Sequence, residues 1–461
     1  MLALGAVASI MAALDTLVVS TALATIRREL DASIDALEWT VNAYNLSFAV
    51  LLMTASALGD RFGRRRMFGL GLAVFTAGSA LCALSPSVAV LIVARAVQGV
   101  GAALMMSLAL ALVSAAFPAE RRGVAMGIVQ GLTGIATACG PLVGGAVAEG
   151  LAWQWIFWVN VPIGLIAIPL ALTRIPESFG SDDALDLFGL VLVTGGALGV
   201  VWALMRGNPV GWASGQVVLS ALAGVALIGV FTVWERRIEQ PMLPMTLFAS
   251  RGFSAGNAAI FLTFATLFSA VFFYAQLLQT VLHYGPLGAG LRLLPWTLML
   301  FFCAPIAGAL ADRIGARPIM VGGLCLMAAG MFWTGSIADP AMSYSALVIP
   351  FILSGVGTSI TVPAAQSAVV SAVRHEALGK AAGANSMMRE LGGVFGIAVV
   401  VAVFASHGSY DSAAEFATGF RPAMTVGASL AFLGALVAIT LPGRRTASEN
   451  SPSPAEQITP V

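Results

Sequence analysis

The stretch Gly59-Asp60-Arg61-Phe62-Gly63-Arg64-Arg65-Arg66 stands between two long apolar runs, and Asp312-Arg313-Ile314-Gly315 repeats its Asp-Arg-x-Gly core in the other half of the chain. A charged turn that returns in the same apolar setting points to two related helical halves of a membrane transporter. The surrounding composition agrees. Charged residues make up 10% of the chain, against about 25% in soluble domains. Apolar residues make up 59%, in runs that reach the roughly 20 residues a helix needs to cross a bilayer core. Lipid offers the backbone no hydrogen-bond partners, so continuous apolar runs imply helices.

The expected spans are 1–25, 37–58, 67–84, 88–116, 123–148, 155–173, 186–206, 214–234, 254–281, 287–310, 318–337, 342–371, 378–406 and 422–441. The chain is therefore predicted to be an all-α integral membrane protein with 14 transmembrane helices. The two Asp-Arg-x-Gly turns each fall about 60 residues after the start of spans 1 and 9. Spans 1–6 (residues 1–174) and 9–14 (residues 254–445) then form equivalent six-helix halves. Residues 175–253 hold a polar linker and two inserted helices, and 446–461 form a disordered cytoplasmic tail. Repeats of this kind place a substrate site at the interface of the halves, near the bilayer midplane.

Arg and Lys give the orientation. Sixteen of the 23 fall in loops after even-numbered spans, among them Arg61, Arg64, Arg121, Arg236, Arg313 and Lys380. The loops after odd-numbered spans hold only Arg27, Arg28, Arg206 and Arg421. This predicts a multi-pass protein of the cytoplasmic membrane with both termini in the cytoplasm. The net charge of +1, with basic residues confined to short loops, points away from nucleic acid. The chain begins inside the first span without a basic leader region, so no signal peptide is expected. Cys82, Cys139, Cys303 and Cys325 lie in apolar spans without metal-type spacing, and read as small hydrophobes.

Several segments resemble the major facilitator superfamily. Leu91-x-x-x-Arg95-x-x-Gln98-Gly99-x-Gly101 is similar to its fourth-helix motif, and Gly308-x-Leu310-Ala311-Asp312-Arg313-x-Gly315 to its loop motif; the first loop copy carries Ser56 where glycine is usual. Gly140-Pro141-x-x-Gly144-Gly145 resembles the motif associated with antiporters. Trp153-Gln154-Trp155-Ile156-Phe157-x-x-Asn160-x-Pro162 resembles a signature of the fourteen-span drug:proton antiporters, with Gln154 where Arg is common. Leu14-Asp15-Thr16 and Arg389-Glu390-Leu391-Gly392-Gly393 also look like that family. The resemblance implies the major facilitator fold, two six-helix halves plus two inserted helices, and proton-coupled export of drugs or amphipathic molecules by alternating access. It links the Gly140–Gly145 segment to export direction.

The residues themselves say why those positions matter. A carboxylate mid-span at Asp15 costs about 2.5–3.5 kcal/mol on insertion scales, so it pairs with a cation, binds a proton or lines a wet cavity. A permanent structural pairing is the alternative. Arg95 stays charged and needs acceptors, either span 1 carbonyls or Asp15. It reads equally as a charge tuning a proton site or as a helix tether with Gln98. Arg389 and Glu390 point about 100° apart on a helix, so each is expected to have its own neighbour. Glu390 is a second proton carrier or a cation site for substrate, the alternative being snorkelling at the cytoplasmic end.

Asp60, beside a helix N-terminus and within reach of Arg121 or Arg122, is expected to switch the halves together with Arg61, Gly63, Arg64, Asp312, Arg313 and Gly315; a pure topology signal is the alternative. Asn42, Asn45, Gln98, Gln276 and Gln279 are expected to line the substrate cavity, because an amide facing lipid is costly. Aromatic residues such as Phe264 and Phe268 read as packing or lining. No Gly-x-x-x-x-Gly-Lys-[Ser/Thr] loop occurs, and no nucleophile–base arrangement is evident. The chain thus reads as a secondary transporter, not an enzyme. It would use the proton gradient without a cofactor, handle small molecules and protons within the bilayer, and work as a monomer. An exporter of one endogenous metabolite, such as a self-made antibiotic or siderophore, and a non-transporting receptor on the same fold are the competing readings.

Overall fold

The computed structural model describes residues 1–117, 128–129, 132–133, 136, 139–140, 142–147, 149–179, 186–373 and 378–442. The elements there are helices: α1 (Leu2–Leu30), α2 (Ile34–Phe62), α3 (Arg64–Ala83), α4 (Val88–Ala116), α5 (Trp155–Trp158), α6 (Asn160–Arg174), α7 (Leu187–Val210) and α8 (Gly215–Glu235). A 3₁₀ turn over Met245–Ala249 leads into α9 (Arg251–Thr280), α10 (Pro286–Arg292), α11 (Leu294–Thr297), α12 (Met299–Ile314), α13 (Ala316–Ile337), α14 (Ser345–Ser371), α15 (Leu378–His407) and α16 (Ala413–Ile439).

Eleven of the described helical stretches are long and apolar enough to cross a membrane, and two bent helices bring the number to 13. These correspond to the expected spans except the fifth, which falls largely on residues outside the description. The bends matter for the site. α1 turns by 41° between Leu2–Asp15 and Val18–Leu30, and α2 by 53° between Ala36–Leu52 and Thr54–Phe62. Asp15 therefore sits at a bend in its span.

Local chemistry sets the helix ends. Ser33, Ser87, Ser214 and Ser412 each accept a bond from the backbone N–H three residues on, satisfying a donor the helix cannot pair itself. Gly63 and Gly315 end α2 and α12 at φ of 102° and 87°, a region that glycine enters without penalty. Both repeated turns thus use their glycine for the same backbone step.

The last span begins earlier than expected, at Ala413 rather than 422. The cap at Ser412 carries the helix through Glu415 and Arg421, which read as loop in sequence, and on through Pro422. Arg421 is accommodated because its Nε donates to the Ala338 carbonyl at 2.9 Å and its guanidinium lies 3.6 Å from Asp339.

α2 packs against α3 and α4 on one side and against α15 on the other. It therefore joins N-terminal helices to C-terminal ones. α7 pairs with α8 and also touches α2 and α15. A buried cluster there joins Leu46, Ala49 and Val50 to Val193, Ala197, Ala384, Leu391 and Val394.

Candidate functional site

Asp15 and Arg95 are 3% and 0% exposed. An Arg95 amine donates to Asp15 Oδ2 and, at 2.8 Å, to Gln98 Oε1, while Gln98 Nε2 donates to Asp15 Oδ1 at 2.8 Å. Arg95 Nε donates to the Thr40 carbonyl at 3.0 Å, and the guanidinium lies 4.2 Å from the centre of the Tyr44 ring. Of the two acceptor sources expected for Arg95, Asp15 is the one used; the carbonyl comes from α2 and not from α1. Gln98 Nε2 also donates to Ser79 Oγ at 3.2 Å, and Asn160 Nδ2 donates to the same oxygen at 3.0 Å. The result is a dry polar network across α1, α2, α3, α4 and α6. Removing either charge from such a pair leaves the other desolvated and uncompensated, so the two ionic states are strongly linked.

A cavity of about 320 Å³ lies between the halves. Phe48, Phe264, Phe268 and Trp296 line it, with Thr358, Ser359 and Gln366 among its polar groups and Arg389 and Glu390 on its wall. Such a wall, mostly apolar with few polar groups, suits an amphipathic organic molecule. Contrary to the expectation of separate neighbours, Arg389 Nε donates to Glu390 Oε1 at 2.9 Å. The 100° offset holds for Cα–Cβ directions, but the long arginine stem bends across it. Glu390 is 3% exposed and its Oε2 has no partner among the described residues. Asp15 is absent from the described lining, although Ala12 and Ala13 of its helix are present.

The five amides expected in the cavity are placed elsewhere. Gln98 belongs to the Asp15 network. Gln276 accepts a bond from the Tyr410 hydroxyl and donates to the Phe272 carbonyl at 2.6 Å, and Gln279 Nε2 donates to the Thr21 carbonyl at 2.9 Å. Asn42 Nδ2 donates to Glu38 Oε1 at 3.1 Å, and Asn45 is 1% exposed. An amide's need to avoid lipid is met as well by packing between helices as by a cavity. Glu38, 1% exposed, is a buried acid that the sequence reading passed over.

At the first charged turn, Arg64 Nε donates to Asp60 Oδ1 at 2.7 Å, and Arg61 lies 5.6 Å from the Phe62 ring centre. Arg121 and Arg122, the partners expected for Asp60, lie outside the described residues. Glu177, from the acidic linker, accepts from the Arg65 backbone N–H at 2.9 Å and lies 3.5 Å from both the Arg65 and the Arg66 guanidinium. Its role was missed in sequence; the signal was an acid in a short linker facing four arginines. In the second turn, Arg313 is exposed and Gly315 ends the helix, while the side chain of Asp312 lies outside the description.

Besides the packing of α2 on α15, contacts between the halves involve the segment around Gly145, Glu149 and Arg27. A Cβ on Gly144 would lie 2.7 Å from the Val18 carbonyl, and one on Gly145 would lie 2.3 Å from the Pro286 carbonyl. Gly144 thus lets its segment approach α1 of its own half, and Gly145 lets it approach the start of α10 in the other half, both at backbone distance. Gly140 is buried in the same segment, and Pro141 lies outside the described residues. Glu149 Oε2 accepts from the Leu287 N–H at 2.8 Å, and the Arg27 guanidinium lies 4.6 Å from the Tyr410 ring centre.

Comparison with known proteins places this geometry in a family. The Major Facilitator Superfamily profile matches residues 5–294 and 256–461. The multidrug resistance protein Stp of Mycobacterium tuberculosis is 36% identical over 397 residues, covering 85% of this chain and 73% of that protein. The tetracenomycin C resistance and export protein of Streptomyces glaucescens is 35% identical, covering 87% and 75%. The puromycin resistance protein of Streptomyces alboniger is 33% identical, covering 98% and 93%. Among solved structures, a POT family transporter in complex with 5-aminolevulinic acid superposes with a TM-score of 0.70 at 12% identity, covering 95% of this chain and 94% of that one; this likeness concerns the fold alone. The helical architecture, the profile match over nearly the whole chain and these relatives together make the chain a member of the Major Facilitator Superfamily.

Proposed function

We propose that the protein is a proton-coupled exporter of drugs or other amphipathic small molecules, working by alternating access across the cytoplasmic membrane. The observation that carries this reading is a mostly apolar cavity between the halves with Glu390 on its wall, beside a dry Asp15–Arg95 pair in one half. Protons arriving at Asp15 would release Arg95 from its counter-charge and alter how α1 and α4 are held. Glu390 would meet a cationic part of the substrate or carry a second proton. The names of the relatives, which refer to multidrug resistance and to resistance against single antibiotics, support export as the direction. In this reading the proton gradient supplies the energy with no cofactor, the monomer suffices, and the boundaries at 174, 253 and 445 separate halves, inserted pair and tail.

The test is a sensitivity screen of cells expressing the protein against cationic and neutral toxic compounds, with and without a protonophore. Broad protection that the protonophore removes supports the reading. Protection against one compound class alone would favour the single-metabolite exporter, which the relatives named for one antibiotic also suggest. No protection, together with no transport in vesicles, would leave the receptor reading.

The orientation is tested separately. Arg66 and Gly215 are exposed, and nothing lies within 4 Å of a Cβ built on Gly215, so cysteines are expected to be tolerated at both. In a background lacking the native cysteines, an impermeant thiol reagent applied outside intact cells should label a cysteine at 215 and not one at 66. Equal labelling would break the proposed topology.

A further inference from the structure

The inserted pair α7–α8 holds two acids that the transport reading leaves unused. Asp186 caps α7: its Oδ1 accepts from the Gly189 N–H at 2.8 Å and from Trp234 Nε1 at 2.9 Å. Glu235, the last residue of α8, is 2% exposed, and its Oε2 accepts from the Leu243 N–H at 3.0 Å. Each carboxylate is thus anchored through one oxygen. The other two, Asp186 Oδ2 and Glu235 Oε1, are buried and accept no hydrogen bond from a donor among the described residues.

Gly189 shows where those two oxygens go. A Cβ built on it would lie 2.2 Å from Asp186 Oδ2 and 3.0 Å from Glu235 Oε1. The two oxygens therefore lie roughly 5 Å apart at most, a range in which a like charge disfavours ionisation of its neighbour. Gly189 leaves the space they converge on. The cation acting on Glu235 from the neighbouring helix is Lys380 of α15, and Arg236 and Arg237 follow in its own chain, both exposed. None of these makes an ion pair with either acid among the described residues.

We propose that Asp186 and Glu235 hold one proton between Asp186 Oδ2 and Glu235 Oε1, forming a proton-binding site outside the antiport route. One carboxyl O–H donates to the other carboxylate, so the pair carries a single negative charge. The shared proton joins a carboxylate that Trp234 ties to α8 with one that Leu243 ties to the connector leading into α9, and so fastens the inserted pair to that connector. When the proton leaves, two carboxylates face each other through buried oxygens, and the junction loosens. The folded protein then holds a proton that the unfolded chain has already lost, so stability falls as pH rises.

The site is independent of the transport reading and is tested without transport. The full-length protein is purified in detergent, and its thermal unfolding midpoint is compared with that of Asp186→Asn at about pH 6 and about pH 9. Asparagine also serves as a helix cap, and its amide N–H replaces the shared proton with a permanent donor to Glu235. The variant is expected to gain several degrees on the wild type between the lower and the higher pH. Glu235→Gln, which leaves Asp186 and its cap in place, is expected to show the same pH-dependent gain. A difference from wild type that is equal at both pH values, in both variants, would overturn the proposal and reduce Asp186 to a cap. A wild-type loss at high pH that added magnesium or sodium ions fully reverse would also overturn it, because the oxygens would then hold a metal cation and not a proton.

Discussion

Asp15→Asn is expected to reduce export driven by an imposed pH gradient to the background of empty vesicles, while exchange of substrate for substrate continues. Asparagine keeps an oxygen that can accept from Arg95, yet it neither gains nor loses a proton across the transport cycle. Exchange requires no net change of protonation, so it survives if the variant folds and serves as the control for folding. Asp15→Glu keeps a titrating group at the bend of α1 and should retain part of the driven export. Glu390→Gln separates the two acids. An equal loss of driven export means that protons pass through both halves; a loss confined to cationic substrates assigns Glu390 to substrate charge, as its place on the cavity wall, with Oε2 unpartnered among the described residues, suggests. Wild-type gradient-driven export by Asp15→Asn, measured in vesicles, would remove Asp15 from the coupling route.

Arg95→Gln should be the most destabilising of the single changes at this network. It leaves the Asp15 carboxylate 3% exposed without its counter-charge, and breaking a buried pair from one side costs about 3–5 kcal/mol. It also strips donors from the Thr40 carbonyl and Gln98 Oε1. The double variant Asp15→Asn with Arg95→Gln carries neither charge of this pair. Its loss of stability should therefore be smaller than the sum of the two single losses, by about 0.5–3 kcal/mol. Unfolding of the four purified proteins in detergent measures this. Strict additivity would mean that the two charges do not compensate each other in the folded protein, and that Arg95 acts as a helix tether through Thr40 and Gln98.

These two experiments also separate the roles of Arg95 that its sequence position left open. The same bonds serve both: Gln98 ties α4 to α1 and α3, while the guanidinium lies against the Asp15 carboxylate and the Tyr44 ring. Stability without coupling in the double variant would assign the pair to proton movement. Its failure to fold would assign it to architecture.

The linear chain determined what each segment must avoid. Apolar runs long enough for lipid and arginines at their ends predicted the helices. They also predicted that Asp15 and Arg95 could not stand alone. Such properties follow from transfer between water and lipid and from local backbone sterics, which act residue by residue and can be read in order along the chain. Which partner satisfies each polar group was decided only by the tertiary structure. Arg389 turned to its own neighbour Glu390, Asn42 to Glu38 of its own helix, Gln279 to the Thr21 carbonyl of α1, Glu177 folded onto the Arg65–Arg66 turn, and Asp186 came near Glu235 beside Gly189. Some of these pairings form within one helix and others between helices distant in sequence, so the same burial requirement admits several partners until side chains and helices pack together.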